Sequence, residues 1–83
     1  MGLNYALVRN LTAREIISAL IRDGFAFDRG SGSHQIFYHP DGRRVSVTFH
    51  SSSQTFTRKT LKSMIEIEAR WTEEDLKRLK LIR

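Results

Sequence analysis

Residues 25–49 read FAFDRGSGSHQIFYHPDGRRVSVTF, and apolar residues alternate with polar ones at both ends of this segment. Such alternation is the pattern of a strand with one buried face. Turn-forming residues interrupt it twice, in the flexible polar loop 29–33 and at Pro40-Asp41-Gly42, where Pro presets the first turn angle and Gly accepts a positive φ. We therefore predict an antiparallel meander with one apolar face and one polar, basic face. Its three strands begin at Phe25, span His34–His39 and span Arg43–Phe49.

The period of two also predicts which aromatic side chains are buried. We expect Phe25, Phe27 and Phe49 to pack in the core on the apolar face. Tyr38 lies on the same strand face as His34 and could stack on nucleic-acid bases.

Capping signals place helices on both sides of the meander. Thr12 and Glu15 form a capping box, which predicts a first helix over Ala13–Asp23. The apolar face of this helix is expected to contain four residues: Ile16, Ile17, Leu20 and Ile21. Thr57 is the expected cap of a second helix, and Thr72 is that of a third, whose acidic first turn suits the helix dipole.

The predicted order is α-β-β-β-α-α, in one domain over residues 1–83 with an irregular lead-in at 1–10. Helices that pack on a single face of the sheet give a two-layer α+β sandwich, with a short C-terminal helix added. The same α-β-β-β-α order is found in the double-stranded RNA-binding fold. Topology alone does not establish function, so the residues of the site must decide it.

Composition narrows the possible functions. The 83 residues contain no Cys, which excludes disulfides, thiolate chemistry and thiolate zinc sites. No apolar run is long enough for a membrane span and no signal peptide is apparent, so we expect a cytoplasmic protein without membrane contact. The net charge is +5 and 10 of the 14 basic residues are Arg, which favours an anionic partner such as RNA.

Histidine is the side chain best suited to proton transfer here, because no pair of carboxylates is poised for it. His34 follows the Gly-Ser loop at the first residue of a strand, where it either acts on a substrate or only hydrogen-bonds its neighbours. His34 and His39 differ in strand parity and so point to opposite faces, and we expect no metal site. His39 and His50 are the candidates for a second proton transfer.

Basic residues cluster around the predicted loops and at the start of the second helix. They form either one track for phosphates or an ordinary solvated surface. Likewise, Gly30 and Gly32 either let the backbone approach a phosphate or only close the loop. The residues that we predict to bind RNA are Arg29, Gly32, Ser33, Arg43, Arg44, Arg58, Lys59 and Lys62.

Several motifs, taken in order, resemble the HicA family, the small YcfA-like toxins of HicA–HicB toxin–antitoxin pairs. The similarity spans roughly Leu11 to Leu79. The motifs are Asp23-Gly24-Phe25, Arg29, Gly32-Ser33-His34, His39-Pro40-Asp41-Gly42-Arg43-Arg44-Val45, His50, and Thr60-Leu61-Lys62-Ser63-Met64-Ile65.

This resemblance implies a double-stranded RNA-binding-like fold and an mRNA interferase that needs no metal or cofactor and is neutralised by a HicB-like antitoxin. The family's catalytic histidine follows Gly-Ser, which corresponds to His34. Two positions depart from the family pattern: Lys59 and Arg70 stand where many members have Gly. The alternatives are a non-catalytic RNA-binding module of the same fold and a subunit whose charge serves only to meet an acidic protein.

Overall fold

The computed structural model describes Val8 and residues 10–82, so most of the predicted lead-in lies outside the described residues. The elements are helix α1 (Ala13–Arg22), strands β1 (Ala26–Ser31), β2 (His34–Tyr38) and β3 (Arg44–Thr48), helix α2 (Arg58–Lys62), a π-helical segment (Ser63–Glu68) and helix α3 (Glu73–Arg78). The sheet is antiparallel with the order β1-β2-β3. The predicted α+β class is confirmed, and the order of elements is consistent with a double-stranded RNA-binding-like fold. No helix in the described part of the chain is long and apolar enough to span a membrane.

The predicted helix starts are confirmed at the level of individual hydrogen bonds. The Thr12 hydroxyl accepts from the backbone N–H of Glu15, whose carboxylate accepts from the backbone N–H of Thr12. Thr72 and Asp75 form the same reciprocal pair at α3. Thr57 caps α2. Each cap satisfies backbone donors that a helix start leaves without an intrahelical partner.

The core lies between the helices and one face of the sheet, which we call the inner face. It holds Phe37, Val45 and Val47 from the strands, all at most 2% exposed. Each helix and the π-helical segment add apolar residues to this core: Ile16, Leu20, Leu61, Met64, Ile65 and Leu76. Trp71 is also buried, as predicted, and its indole N–H donates to Asp23. The sheet therefore has its helices on one side, and its opposite face is free of this core.

The first strand differs from its prediction in two ways. It continues through Ser31, so only Gly32 and Ser33 form the turn to β2, and the predicted loop 29–33 is wrong. A bulge at Asp28 shifts the register between Phe27 and Arg29. Phe27, predicted to be buried, is 55% exposed. It lies on the inner face at the edge strand, where its ring packs edge-on against Phe37.

Two helical predictions also need correction. Asp23 is the C-cap of α1 and not its last residue. Ile21 was expected on the apolar face but is 56% exposed, because the buried stripe of α1 runs through Ile16 and Leu20. Phe49 is only partly buried against the core, just after β3 ends.

The π-helical segment that follows α2 has no counterpart in the prediction. The N–H of Ala69 donates to the carbonyl of Met64, five residues earlier, and both residues are buried. The segment lies beside β3, where the Glu68 carboxylate accepts from the backbone N–H of Ser46 at 2.9 Å. Glu68 thereby satisfies a donor on the free edge of the sheet.

Candidate active site

Cross-strand pairing arranges the second face of the sheet, which we call the outer face, in three rows. Residues of β2 with even numbers point to this face, opposite to the buried Phe37. The rows, each written from β1 through β2 to β3, are Ser31-His34-Thr48, Arg29-Ile36-Ser46 and Ala26-Tyr38-Arg44. His34 therefore shares an open surface with two arginines and four hydroxyl side chains, one of them the phenol of Tyr38.

Both ring nitrogens of His34 are hydrogen-bonded to hydroxyl groups on β3. Nδ1 lies 3.0 Å from Oγ1 of Thr48, which is its direct cross-strand partner. Nε2 lies 3.2 Å from Oγ of Ser46. The ring is exposed, so a substrate can approach it from the outer face.

These partners allow the His34 ring to change its protonation state. A hydroxyl group can donate or accept, whereas a backbone carbonyl only accepts and a backbone N–H only donates. Ser46 and Thr48 can therefore bond to either neutral tautomer of His34 or to the protonated ring. Such an arrangement suits a group that takes up and releases a proton during a reaction.

His39 lies on the inner side, as strand parity predicts, and its surroundings are quite different. Its Nε2 donates to the carbonyl of Asp23 at 2.9 Å, and its Nδ1 accepts from the backbone N–H of Asp41 at 3.0 Å. Both ring nitrogens are therefore engaged by neighbouring backbone groups, and Asp41 Oδ1 also lies 2.9 Å from Nδ1. The ring also packs edge-on against Phe25. His39 therefore serves the structure of the turn.

The glycines of the β1–β2 hairpin position the backbone of His34. A Cβ on Gly30 would lie 2.7 Å from the carbonyl oxygen of His34, so close pairing of the two strands needs a glycine there. Gly32 adopts φ +60 in the turn and has open space around it. Ser33 anchors the turn to β3, because its carbonyl accepts from the N–H of Phe49.

Arg43, one of the residues predicted to bind RNA, is engaged within the protein. Its Nη1 donates to the carbonyl of Ala69 at 2.7 Å and lies 3.2 Å from Asp23 Oδ2, while its Nε donates to Asp41 at 2.8 Å. The guanidinium also lies over the ring of Phe25, 4.9 Å from its centre. Its side chain is only 16% exposed. Arg43 therefore joins the β2–β3 turn to the helical layer.

Asp23 is the centre of this cluster and is held in its charged form. Burial on its own would raise the pKa of Asp23. Hydrogen bonds from Trp71 and Arg78, together with the positive charges of Arg43 and Arg78, outweigh burial and hold the pKa below its ordinary value. The motif residues at positions 23 and 39–43 thus build the scaffold behind the sheet.

The remaining predicted RNA-binding cations fall into two groups. Arg29 and Arg44 lie on the outer face with His34, and Arg29 makes only a 3.7 Å contact with the exposed Asp28. The second group projects from α2, whose Leu61 is buried in the core on the inner side. Its members, Arg58, Lys59 and Lys62, are all exposed. The structure therefore does not bring all the predicted cations onto one face.

Sequence reasoning missed the two hydroxyl partners of His34. The sequence contained a signal for Thr48. A hairpin turn centred on Asp41 pairs residues of the two strands whose numbers add up to 82, and this places Thr48 opposite His34.

Among residues 8 and 10–82 there is no cluster of three or more His, Cys, Asp or Glu that could hold a metal ion.

The sequence of this chain matches the model of a known protein family. The family model described as HicA toxin of bacterial toxin–antitoxin matches residues 13–69, from the first residue of α1 to just beyond the π-helical segment. The chain belongs to the HicA toxin family. The matched region contains the whole sheet and His34, and it ends before α3. The comparison with curated proteins found no match.

Proposed function

We propose that this member of the HicA family is an mRNA interferase, an endoribonuclease that cleaves single-stranded mRNA in the cytoplasm without a metal ion. His34 is its general acid/base. A HicB-like antitoxin neutralises it, as family membership implies. The observation that carries the proposal is the position of His34: exposed on an open sheet face, with both ring nitrogens on hydroxyl partners that fit either protonation state.

The reaction uses a nucleophile that RNA itself supplies. The ribose 2′-oxygen attacks the adjacent phosphorus, so that a P–O2′ bond forms and the P–O5′ bond breaks. We assign the uptake of the 2′-hydroxyl proton to Nε2 of His34, which lies 3.2 Å from the Ser46 hydroxyl on the exposed outer face. The products are a 2′,3′-cyclic phosphate and a 5′-hydroxyl group. A single strand is required because in-line attack needs a backbone that a rigid duplex does not provide.

The 5′-oxygen leaves with a proton from a second group. Of the two histidines considered for this step, His39 is bonded to Asp23 and Asp41 on the inner side. His50 is exposed just after β3 and remains the candidate.

The cations divide the work of binding RNA according to their positions. Arg29 and Arg44 hold phosphates on the outer face beside His34, with the backbone of the turn at Gly32 and Ser33 next to the ring. The α2 residues Arg58, Lys59 and Lys62 contact more distant parts of the RNA from the helical layer. We assign Arg43 a structural role, because its guanidinium already has three partners within the protein.

The decisive experiment incubates end-labelled single-stranded RNA with purified protein in EDTA. The wild type should cleave it and leave 2′,3′-cyclic phosphate ends. His34→Ala should lose about 100-fold or more of the rate, the typical contribution of a general acid/base. Circular dichroism and the unfolding midpoint of the variant establish that it is folded.

Two outcomes would contradict the proposal. Cleavage by pure His34→Ala at the wild-type rate would remove His34 from the mechanism. A salt-sensitive shift of the RNA by wild-type protein without any cleavage would favour the alternative, a non-catalytic RNA-binding module on the same basic surface.

A further inference from the structure

A polar cleft opens where the outer face of the sheet meets the π-helical segment. It has a volume of about 360 Å³ and is lined by Tyr38, Gly42, Arg43, Arg44, Ile67, Glu68 and Arg70. Pockets for small ligands typically measure about 300–1,000 Å³. Tyr38 and Arg44 form one cross-strand row of the outer face, so the cleft lies on the same surface as His34.

Arg70 has an unusual backbone for an arginine. Its φ is +56, in the left-handed region that disfavours any residue with a Cβ and favours glycine. Arg70 lines the cleft and is exposed. Arg70 follows the C-cap Ala69, at the position where helices commonly end with a left-handed residue that is usually glycine.

The cleft contains two arginines without a paired carboxylate in the described part of the chain, and with the charge of Glu68 counted against them it remains positive. Neither Arg44 nor Arg70 forms an ion pair or a side-chain hydrogen bond with any residue in the described part of the chain. Glu68 is the one carboxylate in the lining, and its Oε1 already accepts from the backbone N–H of Ser46. Both guanidinium groups are therefore available to an anion from outside.

The chemistry of the lining fits a nucleotide better than a simple anion. A guanidinium group binds a phosphate through two parallel N–H donors. The ring of Tyr38 is 47% exposed beside Arg44 and offers a surface on which a base can stack. His34 is four residues away along β2, which corresponds to about 13 Å.

We propose that the cleft between Tyr38, Arg44 and Arg70 binds a nucleotide of single-stranded RNA that flanks the phosphate cleaved at His34. This inference rests on the proposed function, because it names a binding subsite for the same substrate. Arg44 and Arg70 hold the phosphate, and Tyr38 stacks on the base.

Binding is tested with a labelled 2′-O-methyl oligonucleotide, which lacks the nucleophile and stays intact on wild-type protein. Arg70→Gly removes the cation and suits the backbone. Lys80→Gly is the matched control, since Lys80 is also an exposed cation at positive φ, +62, but lies at the end of α3, beside a different cavity lined by Arg14 and Leu81. Arg70→Gly should weaken binding about tenfold and reduce the slope of log K against log salt by about 0.7. Lys80→Gly should stay within about twofold of wild type.

A separate pair of variants tests the stacking contact. Tyr38→Phe keeps the ring and should bind the oligonucleotide like wild type, whereas Tyr38→Ala should weaken binding about fivefold or more. Equal binding by Arg70→Gly and Lys80→Gly, or failure of the wild type to bind at all, would overturn the cleft as a nucleotide site.

The cleavage assay separates this inference from the proposed function. Binding that depends on Arg70 without any cleavage of ordinary RNA supports the cleft and rejects the interferase. Cleavage by the wild type with unchanged RNA binding and unchanged KM in Arg70→Gly rejects the cleft and leaves His34 in place.

Discussion

Oγ1 of Thr48 lies 3.0 Å from Nδ1 of His34, directly across the β2–β3 pair. This bond holds the ring at Nδ1, while Nε2 lies 3.2 Å from Oγ of Ser46 on the same strand as Thr48. The two nitrogens therefore have different roles in the proposed reaction. Under the proposed mechanism, Nδ1 positions the ring and Nε2 exchanges the proton.

Thr48→Val should lower kcat about tenfold with little change in KM, because it removes the bond to Nδ1 and keeps a β-branched side chain that suits a strand. Thr48→Ser restores the hydroxyl and should restore kcat. Single-turnover cleavage of labelled RNA measures both. A loss of activity in Thr48→Val that Thr48→Ser does not restore would mean that shape, and not the hydroxyl group, matters at this position.

Ser46→Ala should leave cleavage within about twofold of wild type. The Ser46 hydroxyl must leave Nε2 before that nitrogen can accept a proton from RNA, so its absence costs the reaction little. The same single-turnover assay applies. A tenfold loss in Ser46→Ala would show that Nε2 needs its hydroxyl partner and would exchange the roles assigned to the two nitrogens.

The comparison of His34 with Arg43 shows what the sequence could predict. The alternation of residues along the strand and the position of the turn predict that His34 lies on the outer face. The helix starts at Thr12, Thr57 and Thr72 were predictable because a cap involves residues only a few positions apart in the sequence. The clustering of basic residues around the loops assigns Arg43 to the RNA-binding cations. Its actual partners, Asp23 and Ala69, are distant in sequence, and no local pattern shows them.

Two further differences between the predicted and the observed structure also arise from contacts between residues that are distant in sequence. Alternation assigns Phe27 to the inner face correctly but does not tell how far the helices extend over the edge strand. Residue type likewise does not predict that Ser63–Glu68 forms a π-helix, because that depends on packing Met64 and Ala69 into one core.

Phe37→Ala should therefore lower the free energy of unfolding by about 3–5 kcal/mol, while Phe27→Ala should cost about 1 kcal/mol. Phe37 is 2% exposed and Phe27 is 55% exposed, although the two face each other across β1 and β2. Urea denaturation of both variants gives the two values. Equal losses would show that another surface covers Phe27 in solution.

Asp23→Asn should lower stability by about 2 kcal/mol at pH 7, because it removes the charge that pairs with Arg43 and Arg78. The pKa of Asp23 is lowered in the folded state, so its stabilisation is complete above the unfolded pKa near 4 and disappears as the pH falls through the lower, folded value. The gap between wild type and variant should close below about pH 4. Urea denaturation across this range measures the gap. Asp28→Asn, which changes an exposed carboxylate, is the control for the loss of one acidic charge. A stability difference between wild type and Asp23→Asn that persists unchanged to low pH would contradict the role of the Asp23 charge.

Gly24→Ala should destabilise the protein more than Gly42→Ala does, although both glycines have nearly the same φ, +103 and +100. Each substitution introduces backbone strain of about 1–3 kcal/mol. At Gly24 the new Cβ would also lie 2.9 Å from Nε2 of His39 and displace the ring from the carbonyl of Asp23, whereas a Cβ at Gly42 meets nothing within 4 Å. The lost hydrogen bond adds about 1 kcal/mol or more at Gly24. Thermal and urea unfolding of the two variants compare them directly, and equal destabilisation would mean that the His39 bond adds nothing to the scaffold behind the sheet.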